Sequence, residues 1–443
     1  MGSRVASAVL YLKLVVYSLG LLLDNFKRSR AARKVALEDA KRADSSSSSS
    51  SSKDPSASTE TRNIVIVGAS FAGYHAARII ASSIPVDGSW NIVIVEPNQH
   101  YQFTWTLPRF CVIQGHEDKT FIPYGPYLPE RARHIVRWVH HHASRIGKTS
   151  VTIRETNEEI PYDYLVIATG SGLGLQLPSR VGAQDKKKGS ELLRQMQQSI
   201  KEAGRLVVIG GGAAGVELAA DAKELYPDKS VTLVHSRNAV MHRFGPDLQA
   251  EALKGLRDLG VEVMLEERAV QSEDEPGVLT LRSGKKLEFD FCVNCGGQSP
   301  SSQLLQELAP AAIAESGHIR VRPTLQIDDP SLPNIYACGD VAQTGVRNPN
   351  ARAAMKQAQY VADNVVLAVQ GREPSKLYTP SWADGVIKLT LGLSRSVTHF
   401  SKGKTELLMH AKEKDETLMI AQVWTHMGAT PYEDVDGVGK ETA

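Results

Sequence analysis

Two glycine-rich turns, each preceded by a run of apolar residues, carry the most specific chemistry in the chain. Asn63-Ile-Val-Ile-Val67 reads as a strand buried on both faces, and it leads into Gly68-Ala69-Ser70-Phe71-Ala72-Gly73 and a helix to about Ser82. In a G-x-G-x-x-G turn the first glycine makes the bend, the second lets the backbone approach a pyrophosphate and the third lets helix and strand pack closely. Ser70 stands where the second glycine belongs, so this copy is degraded on its own. A second apolar run, Asn91-Ile-Val-Ile-Val95, then ends in Glu96, an acid placed to accept the ribose hydroxyls of an adenosine. The unit recurs at Leu206-Val-Val-Ile209, followed by a complete motif with Gly210, Gly212 and Gly215. Two such units predict two bound dinucleotides, an arrangement that makes sense when hydride or electrons pass between them.

The second unit differs where its specificity is set. Its second strand, Val231–Val234, ends in His235-Ser-Arg237 with no acid, and an arginine there can accept a 2′-phosphate, so NADPH is expected to be tolerated. Glu217, near the start of the helix after Gly215, either complements the helix dipole or stands beside the nicotinamide to orient it. Other candidate groups are weaker. Cys292 and Cys295 are three apart on an expected strand, where they point to opposite faces, and no helix start lowers a thiol pKa. His140, His141 and His142 alternate faces if extended and form no metal-ligand spacing, so no metal site is expected.

The elements that must hold these residues fit a chain of 443 residues with 42% apolar and 23% charged side chains, enough for two or three soluble domains. Four scattered cysteines suggest a reducing compartment. The net charge of +2 hides an asymmetry: residues 1–43 carry nine bases and three acids, leaving the remainder at −4. An acidic body does not suit a phosphate backbone, which excludes nucleic acid as the expected partner. Val5–Leu23 is nearly continuously apolar, is interrupted only by Lys13 and is followed by the basic run Lys27–Lys34, the pattern of an uncleaved membrane helix with the body on the cytosolic side. The serine tract after it reads as a flexible linker.

Further motifs close the pattern. Tyr164-Leu-Val-Ile-Ala-Thr169-Gly170 and Phe291–Gly297 are strands ending on small-residue turns, and Leu332-Pro-Asn-Ile-Tyr-Ala-Cys-Gly339-Asp340 runs into Gly-Asp. With GASFAG, LPRFCV, GGGAAGVELAAD and NIYACGD, the chain resembles the two-dinucleotide-binding-domain flavoproteins of the pyridine nucleotide-disulfide oxidoreductase superfamily, nearest to the apoptosis-inducing-factor-like, ferroptosis-suppressor group of NAD(P)H:quinone oxidoreductases. The stretch Asn348–Tyr360 looks more like type II NADH dehydrogenases.

That resemblance implies an α/β fold with two Rossmann-like domains, for FAD and NAD(P)H, and a small C-terminal α+β domain. Together with the N-terminal segment, in which the chain departs from the family, the expected organisation is a membrane anchor over 1–43, linker 44–60, FAD domain 61–185 and 299–375, NAD(P)H domain 186–298 and C-terminal domain 376–443. The resemblance further implies that Asp340 holds the ribityl chain, Arg109 and Ala143 contact the flavin, Glu217 acts on the nicotinamide side, and Lys414 reaches the isoalloxazine by its spacing to Trp424. Val386–Leu391 and Thr417–Trp424 read as strands of the C-terminal domain, with Met419, Trp424 and Met427 more in keeping with core packing than with an acceptor pocket. The expected activity is hydride transfer from NAD(P)H to FAD and electron transfer to a quinone, at a mitochondrial outer, ER or lipid-droplet membrane, in a possible homodimer. The alternatives are a reductase of a soluble carrier (ferredoxin, rubredoxin or monodehydroascorbate type) and a redox-sensing or apoptosis-related flavoprotein with little turnover.

Overall fold

The computed structural model describes residues 2–48, 61–172, 177–271 and 275–434. After the N-terminal helix α1 (Gly2–Ser48), strand β1 (Arg62–Val67) leads through helix α2 (Phe71–Ser83) to β2 (Trp90–Val95), β3 (Val136–Val139) and β4 (Tyr164–Ile167). A second series follows: β5 (Arg205–Ile209), helix α3 (Ala213–Leu225), β6 (Ser230–Val234), β7 (Glu262–Met264) and β8 (Phe291–Asn294). The chain then returns as β9 (Ile335–Ala337) and helix α4 (Ala351–Val369), and ends in β10 (Ile387–Thr390), β11 (Arg395–Lys402), β12 (Thr405–Lys412) and the helix Ile420–His426.

The first sheet has the order β9-β4-β1-β2-β3, all parallel, and the second the order β7-β6-β5-β8, also parallel. In both, the first strand of the unit is central, because a parallel pair requires a crossover and the helix of that crossover must cover a face. Double coverage is why the central strands carry no polar alternation: Ile64, Val65 and Ile66 are each 0% exposed. In each sheet the strand order reverses beside the central strand, between β1 and β4 and between β5 and β8, so that a crevice opens at the strand carboxyl ends. The second series lies between β4 and β9 of the first sheet, so one Rossmann-like unit is inserted in the other.

Two expectations about the ends require correction. The Thr417–Trp424 segment is not a strand, since Ile420–His426 is helical. Ile420, Trp424 and Met427 recur at helical spacing, are all buried and pack into the main core, and Trp424 Nε1 donates to the Lys119 carbonyl at 2.8 Å. Met419 is exposed instead. The segment expected to be linker from residue 44 is still helical to Ser48, and the rest of it, 49–60, lies outside the described residues. Val386–Leu391 does contain a strand, β10, the edge of the antiparallel β10-β11-β12 sheet.

Helix α1 includes a segment, Val9–Lys41, long and apolar enough by length and composition to cross a membrane. One face of it nevertheless lies on the folded body, where Leu10 packs with Val386 and Phe400.

Candidate functional site

The two glycine turns are built alike, and the reason is steric. Gly68 has φ +94°, and a Cβ there would sit 2.5 Å from the Ala168 carbonyl oxygen of the neighbouring strand end. A Cβ at Gly73 would lie 1.8 Å from the Gly68 carbonyl oxygen. The second turn repeats this: Gly210 (φ +113°) presses on the Cys295 backbone, and a Cβ at Gly215 would be 1.9 Å from the Gly210 carbonyl oxygen. Gly212 alone meets nothing within 4 Å, so its missing side chain leaves the open space a pyrophosphate would fill. Cys295 is thus a floor for the second turn, and its thiol and that of Cys292 are raised by burial, the latter to about 11.

Each unit also anchors its turn at the end of its second strand. Glu96, buried, accepts from the Ala69 backbone N–H at 2.7 Å and from Asn98 N–H at 2.9 Å. His235 fills the matching place in the second unit, where its Nδ1 accepts from the Gly211 N–H at 3.0 Å and its Nε2 lies 3.3 Å from His242 Nδ1. Burial lowers the His235 pKa to about 4, so this wall is a neutral imidazole, and Arg237 is exposed just beyond it.

A cavity of about 250 Å³ opens where the units meet. Ser70, Phe71 and Ala72 of the first turn line it, with Gly170, Gly339, Asp340 and, at the start of α4, Ala351. Ala214 of α3 and Gln298 line it from the second unit. Three helices, α2, α3 and α4, therefore present their N-termini to one space, a setting that favours negative charge. Asn350 caps α4 by accepting from the Ala353 N–H at 3.1 Å, and it lines the cavity too. Gly339, with φ +78°, would place a Cβ 3.2 Å from that of Ala72, so the Gly-Asp turn and the first glycine turn touch. The Asp340 carboxyl accepts from Ser171 Oγ at 3.4 Å, and burial raises its pKa against the pull of Arg180, which also lines the cavity. A second cavity of about 270 Å³ continues past Gly339 and Asp340 to Thr344 and Gln357.

Thr169 stands beside this space, with its Oγ1 donating to the Ser301 carbonyl at 2.6 Å. Three other expected contacts lie elsewhere. Ala143 is buried in an antiparallel ribbon, Ala143–Ile146 with Ser150–Ile153, and is not among the residues that line either cavity. Lys414 is exposed beyond the end of β12, because Trp424, the anchor of its expected placement, belongs to a helix and not to a strand. Lys388 lies nearer, its ammonium 5.9 Å from the ring centre of the cavity-lining Trp105 and 2.8 Å from Glu413.

Arg109 is the third. Pro108 faces the cavity, but Arg109 turns the other way and is 1% exposed. Its Nε donates to Asp221 Oδ2 at 2.7 Å and its Nη2 to the Gly392 carbonyl at 2.9 Å, and its Nη1 has no hydrogen-bond partner among the described residues. Asp221 is one of three carboxylates on α3 spaced as helical neighbours. Glu217 accepts from the Thr390 N–H at 3.1 Å and Glu224 from the Leu393 N–H at 2.8 Å. This row fastens the second unit to the turn after β10, with Arg109 as the pin from the first unit. Acids at 217, 221 and 224, spaced four and three apart on a helix otherwise apolar but for Lys223, were the sequence signal for it.

Glu217 lies one turn along α3 from the cavity-lining Ala214, 5% exposed. Burial raises its pKa to about 8, with Asp221 adding to the rise and Arg109 opposing it. Its carboxyl is therefore neutral at pH 7 and holds a proton close to the meeting point of the two units.

The family model described as pyridine nucleotide-disulphide oxidoreductase matches residues 62–358, and the chain belongs to that family. It is an FAD-dependent oxidoreductase that uses NAD(P)H. Among similar proteins, Fe-regulated protein 8 of Mycosarcoma maydis is 30% identical over 393 residues, covering 84% of this chain and 96% of the relative. Ferroptosis suppressor protein 1 of Homo sapiens is 28% identical over 387 residues, covering 83% and 96%. Among solved structures, an NAD-dependent persulfide reductase from A. fulgidus shares the fold with a TM-score of 0.62 at 21% identity, over 83% of this chain and 77% of that one.

Proposed function

We propose that the protein is a membrane-associated NAD(P)H:quinone oxidoreductase. The observation that carries this reading is a cavity walled by both nucleotide units, Ser70–Ala72 and Gly339–Asp340 on one side and Ala214 and Gln298 on the other. The similarity to ferroptosis suppressor protein 1 over most of both chains adds to it.

The residues fit the two cofactors. The first glycine turn and Glu96 would hold the adenosine and pyrophosphate of FAD, with Asp340 on its ribityl hydroxyls. Gly210, Gly212 and Gly215 would hold NAD(P)H, with Arg237 available to a 2′-phosphate. When bound, FAD supplies the reversible two-electron chemistry and NAD(P)H the hydride. The chain's own share is positioning and the exclusion of water. It also manages protons: quinone reduction consumes protons as well as electrons, and the Glu217 carboxyl holds one at neutral pH, fixed by the Thr390 N–H.

Steady-state reduction of a short-chain ubiquinone by purified protein tests the reading, with a ferredoxin and monodehydroascorbate as rival acceptors. Quinone reduction at both low and high ionic strength is expected. Turnover confined to a soluble protein carrier and steeply dependent on salt would replace it.

A further inference from the structure

Helix α1 has two faces with different jobs. Leu10, Leu14, Tyr17, Arg28, Ala32, Val35 and Asp39 recur at steps that bring them within about 60° of arc at ~100° per residue, and all are at least partly buried. Leu10 packs with Val386 and Phe400, and the Tyr17 ring lies 5.9 Å from Trp382. Arg28 makes paired hydrogen bonds to Asp363 of α4 at 2.7 and 2.8 Å, and Asp39 pairs with Arg131. The apolar segment is thus held to the body at both its ends.

The opposite face is the reverse of a docked surface. Leu12, Leu19, Leu23 and Phe26 are 63%, 55%, 61% and 67% exposed, with Val16 and Leu22 beside them. Past Phe26 the same face continues as Arg30, Arg33 and Lys34, all exposed. An apolar stripe that gives way to a basic one is what an in-plane helix offers to acyl chains and anionic headgroups.

From this we infer that α1 lies in the plane of an anionic bilayer surface, docked face on the protein and apolar face in the lipid, and does not cross the membrane. The inference rests on the membrane association proposed above. Crossing would need the full circumference of the helix in hydrocarbon for about 20 residues. That would strip Leu10 and Leu14 from the C-terminal sheet and Tyr17 from Trp382, and swing one end of the segment some 27 Å from its partner, at ~1.5 Å per residue over the stretch from Leu10 to Arg28. In-plane seating keeps every one of these contacts, and it leaves Lys13, exposed near the edge of the docked face, free to reach water. The seat also leads to the site: the Trp382–Gly385 turn beneath Tyr17 accepts a hydrogen bond at the Asp384 carbonyl from Asn350 Nδ2 at 2.6 Å, and Asn350 lines the cavity.

The test uses the full chain with an N-terminal epitope tag, bound to sealed vesicles of phosphatidylcholine and phosphatidylserine and treated with protease from outside. In-plane seating predicts that the tag is cut along with the body. It also predicts that the double substitution Leu19→Glu/Leu23→Glu lowers vesicle binding about tenfold or more, while activity toward a water-soluble quinone is unchanged. Arg30→Glu/Arg33→Glu/Lys34→Glu should lower binding about tenfold or more on the anionic vesicles and little on phosphatidylcholine alone. A protected tag would overturn the inference in favour of a spanning helix and leave membrane association standing. Failure of the unsubstituted chain to bind vesicles would remove both, and neither result touches quinone reduction in solution.

Discussion

Glu217→Gln should make the protein more stable at neutral pH, and less dependent on pH, than the unsubstituted chain. The folded carboxyl titrates at about 8 against an ordinary 4.5, because burial disfavours its ionised form. As pH rises above 4.5 the unfolded chain ionises this group and the folded protein does not, so stability is full below 4.5, falls as pH rises and levels off only above about 8. At pH 7 roughly 2.5 pH units of that fall have accumulated, and at ~1.4 kcal/mol per unit the penalty is about 3 kcal/mol. Glutamine is neutral at every pH, and its carbonyl can still accept from Thr390. The nearby Asp221 titrates in both proteins, so its own contribution largely cancels in the comparison. For 443 residues at ~2 cal/mol/K each, 3 kcal/mol corresponds to a rise in Tm of about 3 °C. Thermal melts of both proteins from pH 5 to 9 should show curves that nearly meet at the acid end and diverge toward pH 8. Parallel curves over that range would mean that Glu217 is ionised in the folded protein, and the proton-holding role would be refuted.

Other substitutions probe the remaining parts. Asp340→Ala should yield protein that folds but purifies with little flavin, seen as loss of yellow colour with an unchanged far-UV circular dichroism spectrum. Gly215→Ala drives a Cβ into the Gly210 carbonyl, so KM for NAD(P)H should rise about tenfold or more with flavin retained, measured by steady-state kinetics. Arg237→Glu should lower kcat/KM for NADPH about tenfold or more while changing that for NADH little. Arg109→Met strands the buried Asp221 carboxylate and should cost about 3–5 kcal/mol in denaturant melts, whereas adding Asp221→Leu should restore most of it.

How much of this was legible in the sequence depends on whether the deciding contacts were local. The glycine turns, Glu96 and the Gly339-Asp340 turn sit at strand ends where a few adjacent residues dictate the backbone, so their places at the strand ends could be read from local motifs, while the role of Asp340 came from the family resemblance. Arg109 could not. Its neighbour Pro108 faces the cavity while its own side chain reaches a residue 112 positions away, and no local pattern encodes that pairing. Lys414 failed for a related reason: Thr417–Trp424 carries apolar residues that suit either a strand or a short helix, and burial of Ile420 and Trp424 against the main core selected the helix. The apolar character of α1 was plain, but its division into a docked and a free face needed the partners Phe400, Trp382 and Asp363 to be in place.

The proposed chemistry requires a held flavin and a visiting pyridine nucleotide to meet in one cavity. The most direct test is an anaerobic spectrum of the purified protein during titration with NADPH and then with a short-chain ubiquinone. The prediction is a flavin absorbance band that bleaches with about one equivalent of NADPH, as a two-electron transfer requires, and returns when quinone is added. A colourless protein, a flavin that NADPH and NADH both leave oxidised, or a reduced flavin that quinone does not reoxidise would contradict it.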